Sequence, residues 1–252
     1  MEKLNISGPV ISIITVVYNS LELFRRTFNS IVSQDYANLE YIVVDGNSSD
    51  GTAEFIKEHN NKITRWVSEP DNGIYYAMNK GLDMAEGNYL WFINAGDTLP
   101  SPTTVSDMVN TLNRGDLPQI IYGETMITDG SGNITGSRRK KAPEKLSWKS
   151  FRYGMMVCHQ SVLISPDVAG KFDTSYRISA DFGWVLDALK KSSNIHNSGM
   201  VLSFYMEDGF SKRNVKPSLR ERAKIMASHY GWLPTIWYHI VITLRFILYY
   251  SL

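Results

Sequence analysis

The sequence predicts an α/β fold: a mainly parallel sheet with helices on both faces through about residue 100, an α+β half to about 231, and an apolar C-terminal helix beyond. Three observations carry this. In the first hundred residues, short β-branched runs alternate with helical stretches, the signature of parallel strands joined by helices. After Asp97 the alternation weakens. From Ile236 onward the chain is almost wholly apolar and aromatic.

Residues 10–17, VISIITVV, read as a buried strand. It stops at Tyr18, Asn19 and Ser20, and either of the last two can cap a helix running through Leu23, Phe24, Phe28 and Ile31. Residues 41–44 form a second buried strand, ended by the turn formers of DGNSSDG and followed by a helix around Phe55 and Ile56. Residues 64–68 are a third strand, 74–85 a helix and 88–93 a fourth strand. Beyond them, 105–112 reads as a helix and 119–128 as a strand leading into the Gly-rich turn 129–133. A return strand starts at Ile134, another strand covers 160–165, and a helix covers 180–190.

Composition narrows the function. The chain has 252 residues, 43% hydrophobic and 20% charged, which is ordinary for a globular protein with one large domain and a short appendage. A net charge of +1 argues against a nucleic-acid binder. One cysteine, Cys158, excludes an internal disulfide or a multi-cysteine zinc site and suits a reducing compartment. The N-terminus carries no apolar stretch of the secretory type, so a cytoplasmic location is expected. The domain reading is therefore 1–231 as one unit, divided near residue 100, with 232–252 as a terminal helix.

Functional groups in such folds gather at the carboxyl ends of strands, near the point where the strand order reverses. Polar clusters follow three strand ends: Thr15 to Asn19, Asp45 to Asp50, and Asn94 to Asp97. The first strand is followed by Tyr-Asn-Ser-Leu, with no glycine-rich turn for a dinucleotide, and no Walker-type loop exists. What remains is a nucleotide site made of side chains. Thr15, Tyr18 and Asn19 offer hydroxyl and amide groups and one aromatic face, and Asp45 can accept a hydrogen bond from a base. Asp50 either does the same or caps the next helix.

The segments VISIITVVYNS, YIVVDGNSSDGT and SEPDNGIYYAMNKGLDMAEGNYLWFINAGD, with CHQ and ISADF later, resemble family 2 glycosyltransferases of the GT-A fold, in particular the colanic-acid and O-antigen type. The resemblance runs from about residue 9 to 211. It implies a Rossmann-like donor half in residues 1–100, an acceptor half in 101–231, and a nucleotide-sugar donor. Asp71, Asn79, Lys80, Asn94, Ala95 and Gly96 would then join the donor site, Lys80 either facing phosphate or lying exposed on its helix. The family carries an acidic motif for a divalent metal, Mg²⁺ or Mn²⁺, where this chain has Asn94-Ala95-Gly96-Asp97. Only Asp97 is acidic there, and one carboxylate beside phosphates can suffice. His159 of CHQ is either a metal or diphosphate contact or a structural residue. Asp181 stands where the family places the catalytic base that deprotonates the acceptor hydroxyl. The loop 208–211 is expected to close over donor or acceptor.

The resemblance further implies a lipid-linked saccharide acceptor from surface polysaccharide synthesis. The basic run 212–224 and the apolar tail then suggest a helix lying at the inner face of the membrane, with packing on the protein itself or on a second subunit as the alternative. Two other functions stay open: a sugar nucleotidyltransferase, and a catalytically silent nucleotide-sugar-binding module.

Overall fold

The computed structural model describes residues 8–113, 115–206 and 214–250, with side chains through residue 244. Among these residues eight strands form one sheet in the order β3-β2-β1-β4-β7-β5-β6, with β8 on the other edge of β5. β1 (Ile11–Val17), β2 (Leu39–Asp45), β3 (Arg65–Ser68) and β4 (Tyr89–Phe92) are mutually parallel. The chain steps outward from β1 to β3, then returns to place β4 on the opposite side of β1. That reversal puts the switch point, and hence the crevice, at the carboxyl ends of β1 and β4.

All seven residues of β1 are buried, because strands flank it on both edges and helices cover both faces. One face of the sheet carries Ile14, Val16, Ile42, Val44 and Phe92 against α3 (Ile74–Met84) and α5 (Ala180–Lys191). The other carries Ile11, Ile13, Val17 and Val43 against α1 (Leu21–Val32), α2 (Thr52–Glu58) and α4 (Thr104–Asn110). On α1 the buried positions are Phe24, Thr27, Phe28 and Ile31, spaced i, i+3, i+4 and i+7, the stripe a helix must present to a sheet. Each of its large apolar side chains contributes about 1.5–3 kcal/mol by leaving water. Gly81 of α3 is required by proximity: a Cβ there would lie 2.5 Å from Ile14 Cγ2, so any side chain would push the helix off β1.

The second half is built around β5 (Ile120–Thr128). It pairs antiparallel with β7 (Val162–Ile164) and β6 (Ile134–Ser137), and parallel with the long β8 (Ile195–Met206). β7 also pairs antiparallel with β4, joining the halves in one sheet. The strand expected at 160–165 is shorter than its sequence suggests: His159–Ser161 forms a 3-10 turn and the strand begins at Val162. That turn aims Gln160 into the crevice. Two elements were not anticipated, β8 and α6 (Val215–Tyr230). The terminal helix α7 runs Trp232–Tyr250, starting at the expected 232 and taking in the apolar run from Ile236. Among the described residues no helix is long and apolar enough to cross a membrane. The loop 208–211, with Lys212 and Arg213, lies outside the described residues.

Candidate active site

The crevice floor is the turn Asn94-Ala95-Gly96-Asp97 beyond β4. It closes by a hydrogen bond from Asp97 N–H to Asn94 O at 2.9 Å, with Gly96 at φ +104°, where a side chain is strained. Space is also short, since a Cβ on Gly96 would approach Met206 Cε to 3.0 Å. Thr27 of α1, fully buried, fastens the turn: its hydroxyl accepts from Gly96 N–H at 2.9 Å and donates to Asp97 O at 2.7 Å. The turn is therefore held from a helix about 70 residues away in sequence.

Asp97 points inward and is 5% exposed. Gln160 Nε2 donates to its Oδ2 at 3.0 Å and Met206 N–H to its Oδ1 at 3.2 Å. Burial pushes its pKa up to about 6, although the Gln160 bond, the nearby His159 and the Met206 N–H oppose the rise.

Asp181 lies in the first turn of α5 and is 14% exposed. His159 Nδ1 is 3.0 Å from its Oδ2, and Tyr75 O–H donates to Oδ1 at 3.2 Å. Burial favours the neutral acid, but the His159 bond, the charges of His159 and Arg222, and the Phe182 N–H outweigh it. The carboxyl is held below the usual range. Tyr75 is pushed well above its ordinary value by burial and by the charge of Asp181, so it stays a donor. The other imidazole nitrogen, Nε2, lies 3.3 Å from Asn94 Nδ2. Nδ1 thus donates to Asp181, while Nε2 faces the Asn94 amide. Asn94 Oδ1 is left buried with no donor.

Behind α5, Glu221 of α6 accepts from the N–H groups of Arg177, Ile178 and Ser179 at 2.9, 2.9 and 2.8 Å. A carboxylate on the N-terminal side of the helix is favoured by its dipole and fixes the turn that carries Asp181. Tyr75, Gln160, Thr27 and Glu221 were not assigned roles from sequence. Tyr75 and Gln160 stood inside quoted segments.

At the other end, Asp45 is fully buried at the tip of β2, and its carboxylate accepts from Ser48 N–H, Ser48 O–H and Ser68 O–H. Asn19, at φ 45°, ties the β1 end to the same loop: its N–H donates to Ser48 Oγ and its Oδ1 accepts from Ser49 N–H, both at 2.8 Å. Asp50 serves two helix starts, accepting from Thr52 N–H of the next helix, α2, at 3.2 Å and across the loop from Leu21 N–H of α1 at 2.9 Å. Tyr18 is 64% exposed, and its ring lies against Gly46, where a Cβ would come within 3.2 Å of it. Asp71 is 7% exposed. Its Oδ1 is 2.6 Å from Lys80 Nζ and its Oδ2 meets no donor.

Three residues expected in the donor site are engaged elsewhere. Thr15 lies on the sheet face away from α3, fully buried, its hydroxyl donating to Ile93 O at 2.7 Å. Asn79 uses both halves of its amide on the Phe172 main chain, at 2.9 and 2.8 Å. Lys80 is neither free for phosphate nor simply solvated: Glu69 and Asp71 each stand 2.6 Å from its ammonium.

For the implied divalent metal, no group of three His, Cys, Asp or Glu able to hold one exists among the described residues. The oxygen donors present are Asp97, whose oxygens keep further lone pairs, and the orphaned Asn94 Oδ1. Such a set fits a hard cation that takes its remaining ligands from phosphate oxygens and water.

A nearly buried carboxylate beside a crevice at a parallel-sheet switch point suits group transfer from a nucleotide donor. Residues 12–165 match the sequence model of the family described as glycosyl transferase family 2. The chain belongs to glycosyl transferase family 2. An uncharacterized glycosyltransferase of Mycobacterium tuberculosis is 31% identical over 187 residues, 72% of this chain and 70% of the relative. A PGL/p-HBAD biosynthesis glycosyltransferase of Mycobacterium bovis is 23% identical over 182 residues, 70% of this chain and 68% of the relative. Among solved structures, S. aureus TarS 1-349 in complex with UDP-GlcNAc superposes with a TM-score of 0.67 at 17% identity, over 86% of this chain and 66% of that one. A mannosyltransferase from Pyrobaculum calidifontis, in complex with GDP-Man and Mn2+, gives 0.57 at 16% identity, over 94% and 76%. The chain thus spans about two thirds of the TarS fragment. At these identities the structures establish the fold, GT-A, for this family 2 glycosyltransferase.

Proposed function

We propose that this family 2 glycosyltransferase transfers a sugar with inversion from a UDP- or GDP-sugar to a saccharide hydroxyl, with Asp181 as the base. The observation that carries the reading is the His159–Asp181–Tyr75 chain, which keeps a nearly buried carboxylate ionised at neutral pH. As the acceptor oxygen attacks the anomeric carbon, its proton passes to Asp181, the C–O bond to the sugar forms, and the bond to the diphosphate breaks. His159 holds the carboxylate in place through Nδ1, and Tyr75 fixes its second oxygen. Support for the donor class comes from relatives bound to UDP-GlcNAc and GDP-Man. The exposed Tyr18 ring offers a stacking face for the base, and the unpartnered Asp71 Oδ2 an acceptor for a base or ribose donor.

Asp97 and Asn94 Oδ1 are the residues that would hold Mg²⁺ or Mn²⁺ against the diphosphate. A divalent cation there neutralises the charge of the leaving group.

The CHQ and ISADF motifs support placement with colanic-acid and O-antigen type transferases, and so a lipid-linked acceptor at the inner face of the membrane. α7 supports a surface location. It packs on its own domain through Tyr238, whose ring centroid is 6.1 Å from that of Tyr230, while Leu233, Ile236, Trp237, Ile240 and Leu244 remain exposed. Lys216, Arg220 and Lys224 are exposed on α6 and suit anionic headgroups, whereas Arg222 of the same basic run turns toward Asp181. Deleting residues 234–252 should release the protein from anionic liposomes in a co-sedimentation assay; equal pelleting of truncated and full-length chains would refute the membrane role. The reaction itself is tested by nucleoside diphosphate release from a panel of UDP- and GDP-sugars, with and without saccharide acceptors. Acceptor-stimulated release is expected from at least one donor, whereas nucleoside triphosphate and sugar 1-phosphate formed only on addition of pyrophosphate would mean a nucleotidyltransferase.

A further inference from the structure

After β6 the chain carries four consecutive cations, Arg138 to Lys141. A solvated charge run would turn all four outward. Here Arg139 and Lys141 are exposed, while Arg138 and Lys140 are half-buried, the alternation of an extended segment laid on a surface. The Arg138 guanidinium donates to Met156 O at 3.2 Å and Met155 O at 3.0 Å, and the Lys140 ammonium to Tyr153 O. All three acceptors are main-chain carbonyls of the segment that leads directly into His159.

A third cation approaches from the other side. Arg222 of α6 follows Glu221, which is fixed to the start of α5, and its charge is felt by both Asp181 and Lys140. Its Nε is buried with no hydrogen-bond acceptor. Among the described residues no carboxylate forms an ion pair with Arg138, Lys140 or Arg222. Burial, together with the charges of Arg138, Arg222 and Arg139, pushes the Lys140 ammonium down to about 8. Like charges gathered in a partly desolvated place destabilise one another unless an anion joins them. Neutral donors would satisfy the same carbonyls without bringing like charges together.

The location decides the ligand. The donor diphosphate, on the reading above, sits at the Asn94–Asp97 turn. Asp181 is in contact with His159, and the charge of Arg222 reaches both Asp181 and Lys140, so the cations border Asp181. We propose that Arg138, Lys140 and Arg222 form a binding site for a phosphate or diphosphate carried by the acceptor, beside the hydroxyl that Asp181 deprotonates. The inference rests on Asp181 being the base. Planar guanidinium forks and a compact ammonium suit phosphate oxygens, and an anchor of this kind would fix the acceptor hydroxyl against Asp181.

The test is calorimetric binding of inorganic pyrophosphate and of farnesyl diphosphate to protein already saturated with UDP or GDP, whichever binds. The full chain is compared with Arg222→Met and Lys140→Met, which keep the apolar stems. Binding of one or both probes is expected beside the nucleotide, weakened about tenfold or more in each variant, with nucleotide affinity changed less than twofold. A stronger response to farnesyl diphosphate would identify a lipid-borne phosphate, and equal responses a soluble one. Competition between pyrophosphate and nucleotide, or a parallel loss of nucleotide binding, would assign the cations to the donor and overturn the proposal. So would unchanged probe binding in both variants. Thermal melts check folding, and Lys140→Met, which relieves repulsion, is expected to melt no lower than the parent. Because these readouts need no turnover, a failure of Asp181 as base would appear separately, as retained activity in Asp181→Asn.

Discussion

Two carboxylates face the same crevice from opposite halves of the chain, and their surroundings drive them apart. Asp97, on the turn after β4, is buried among neutral donors, an amide and a main-chain N–H, and its pKa rises to about 6. Asp181, at the start of α5, is buried no less in effect, yet the His159 bond, the charges of His159 and Arg222 and the Phe182 N–H pull it below the usual range. Burial acts on both in the same direction and His159 opposes it at both, so the difference lies in contact: His159 bonds directly to Asp181, where the charge of Arg222 adds to it, and is only a neighbour of Asp97. Paired acids pushed in opposite directions are how one site assigns different tasks to the same side chain. Asp181 is ready to accept a proton. Asp97 is a carboxylate whose ionisation a bound cation would favour.

The largest effect expected from breaking this contrast is on turnover. Asp181→Asn should retain nucleotide binding and lose about 10²–10⁴-fold in rate, the usual scale for a general base. A variant that kept more than about a third of parental turnover would remove Asp181 from that role. Next in size, Asp97→Asn should weaken nucleotide binding about tenfold or more with Mn²⁺ present and little under chelation, on the scale of altered metal sites. Equal losses in both conditions would mean that Asp97 is purely a fastening for β8 and the 3-10 turn.

The smallest effect is also the most discriminating, because its sign differs between the two acids. The native pKa of Asp97 lies above its unfolded value of 3.8, so below about 6 the folded state holds a proton that the unfolded state lacks. Stability from this group therefore rises as pH falls from 7 toward 4, and at pH 7 the ionised form is a penalty. Asp97→Asn lacks this contribution and sets an amide N–H against one of the two donors, so its stability relative to the parent should be greatest at pH 7 and fall toward pH 4. Asp181 contributes in the opposite sense. Its stabilisation is present above pH 3.8 and is lost as pH falls through its lower native pKa, so Asp181→Asn should destabilise at pH 7. Denaturant midpoints across pH separate the two variants.

The same contrast explains what the sequence made legible. β1 and β2 are visible as apolar runs because both faces are covered, and Asn94 to Asp97 and Asp181 stand out because strand ends and helix starts are marked locally. Side-chain direction is not marked so plainly. Thr15 sits two residues from the crevice end of β1 but belongs to the opposite face, and Lys80 reads as a free helix lysine until the fold brings Glu69 and Asp71 to it. The partners that tune the acids are the least visible: Tyr75 reaches Asp181 across 106 residues, and Gln160 reaches Asp97 across 63. β8 escapes notice because it mixes polar and apolar residues without a strict alternation, being half-buried along most of its length.

The central claim, that two carboxylates in one crevice titrate in opposite directions, is tested most directly by carbon-detected NMR titration of aspartate side-chain carboxyls in the parent, Asp97→Asn and Asp181→Asn. A carboxyl titrating near pH 6 is expected in the parent and in Asp181→Asn but absent from Asp97→Asn, while the signal lost in Asp181→Asn titrates below 3.8. Disappearance of the pH 6 titration from Asp181→Asn instead would show the base protonated where it must accept a proton, and would contradict the account.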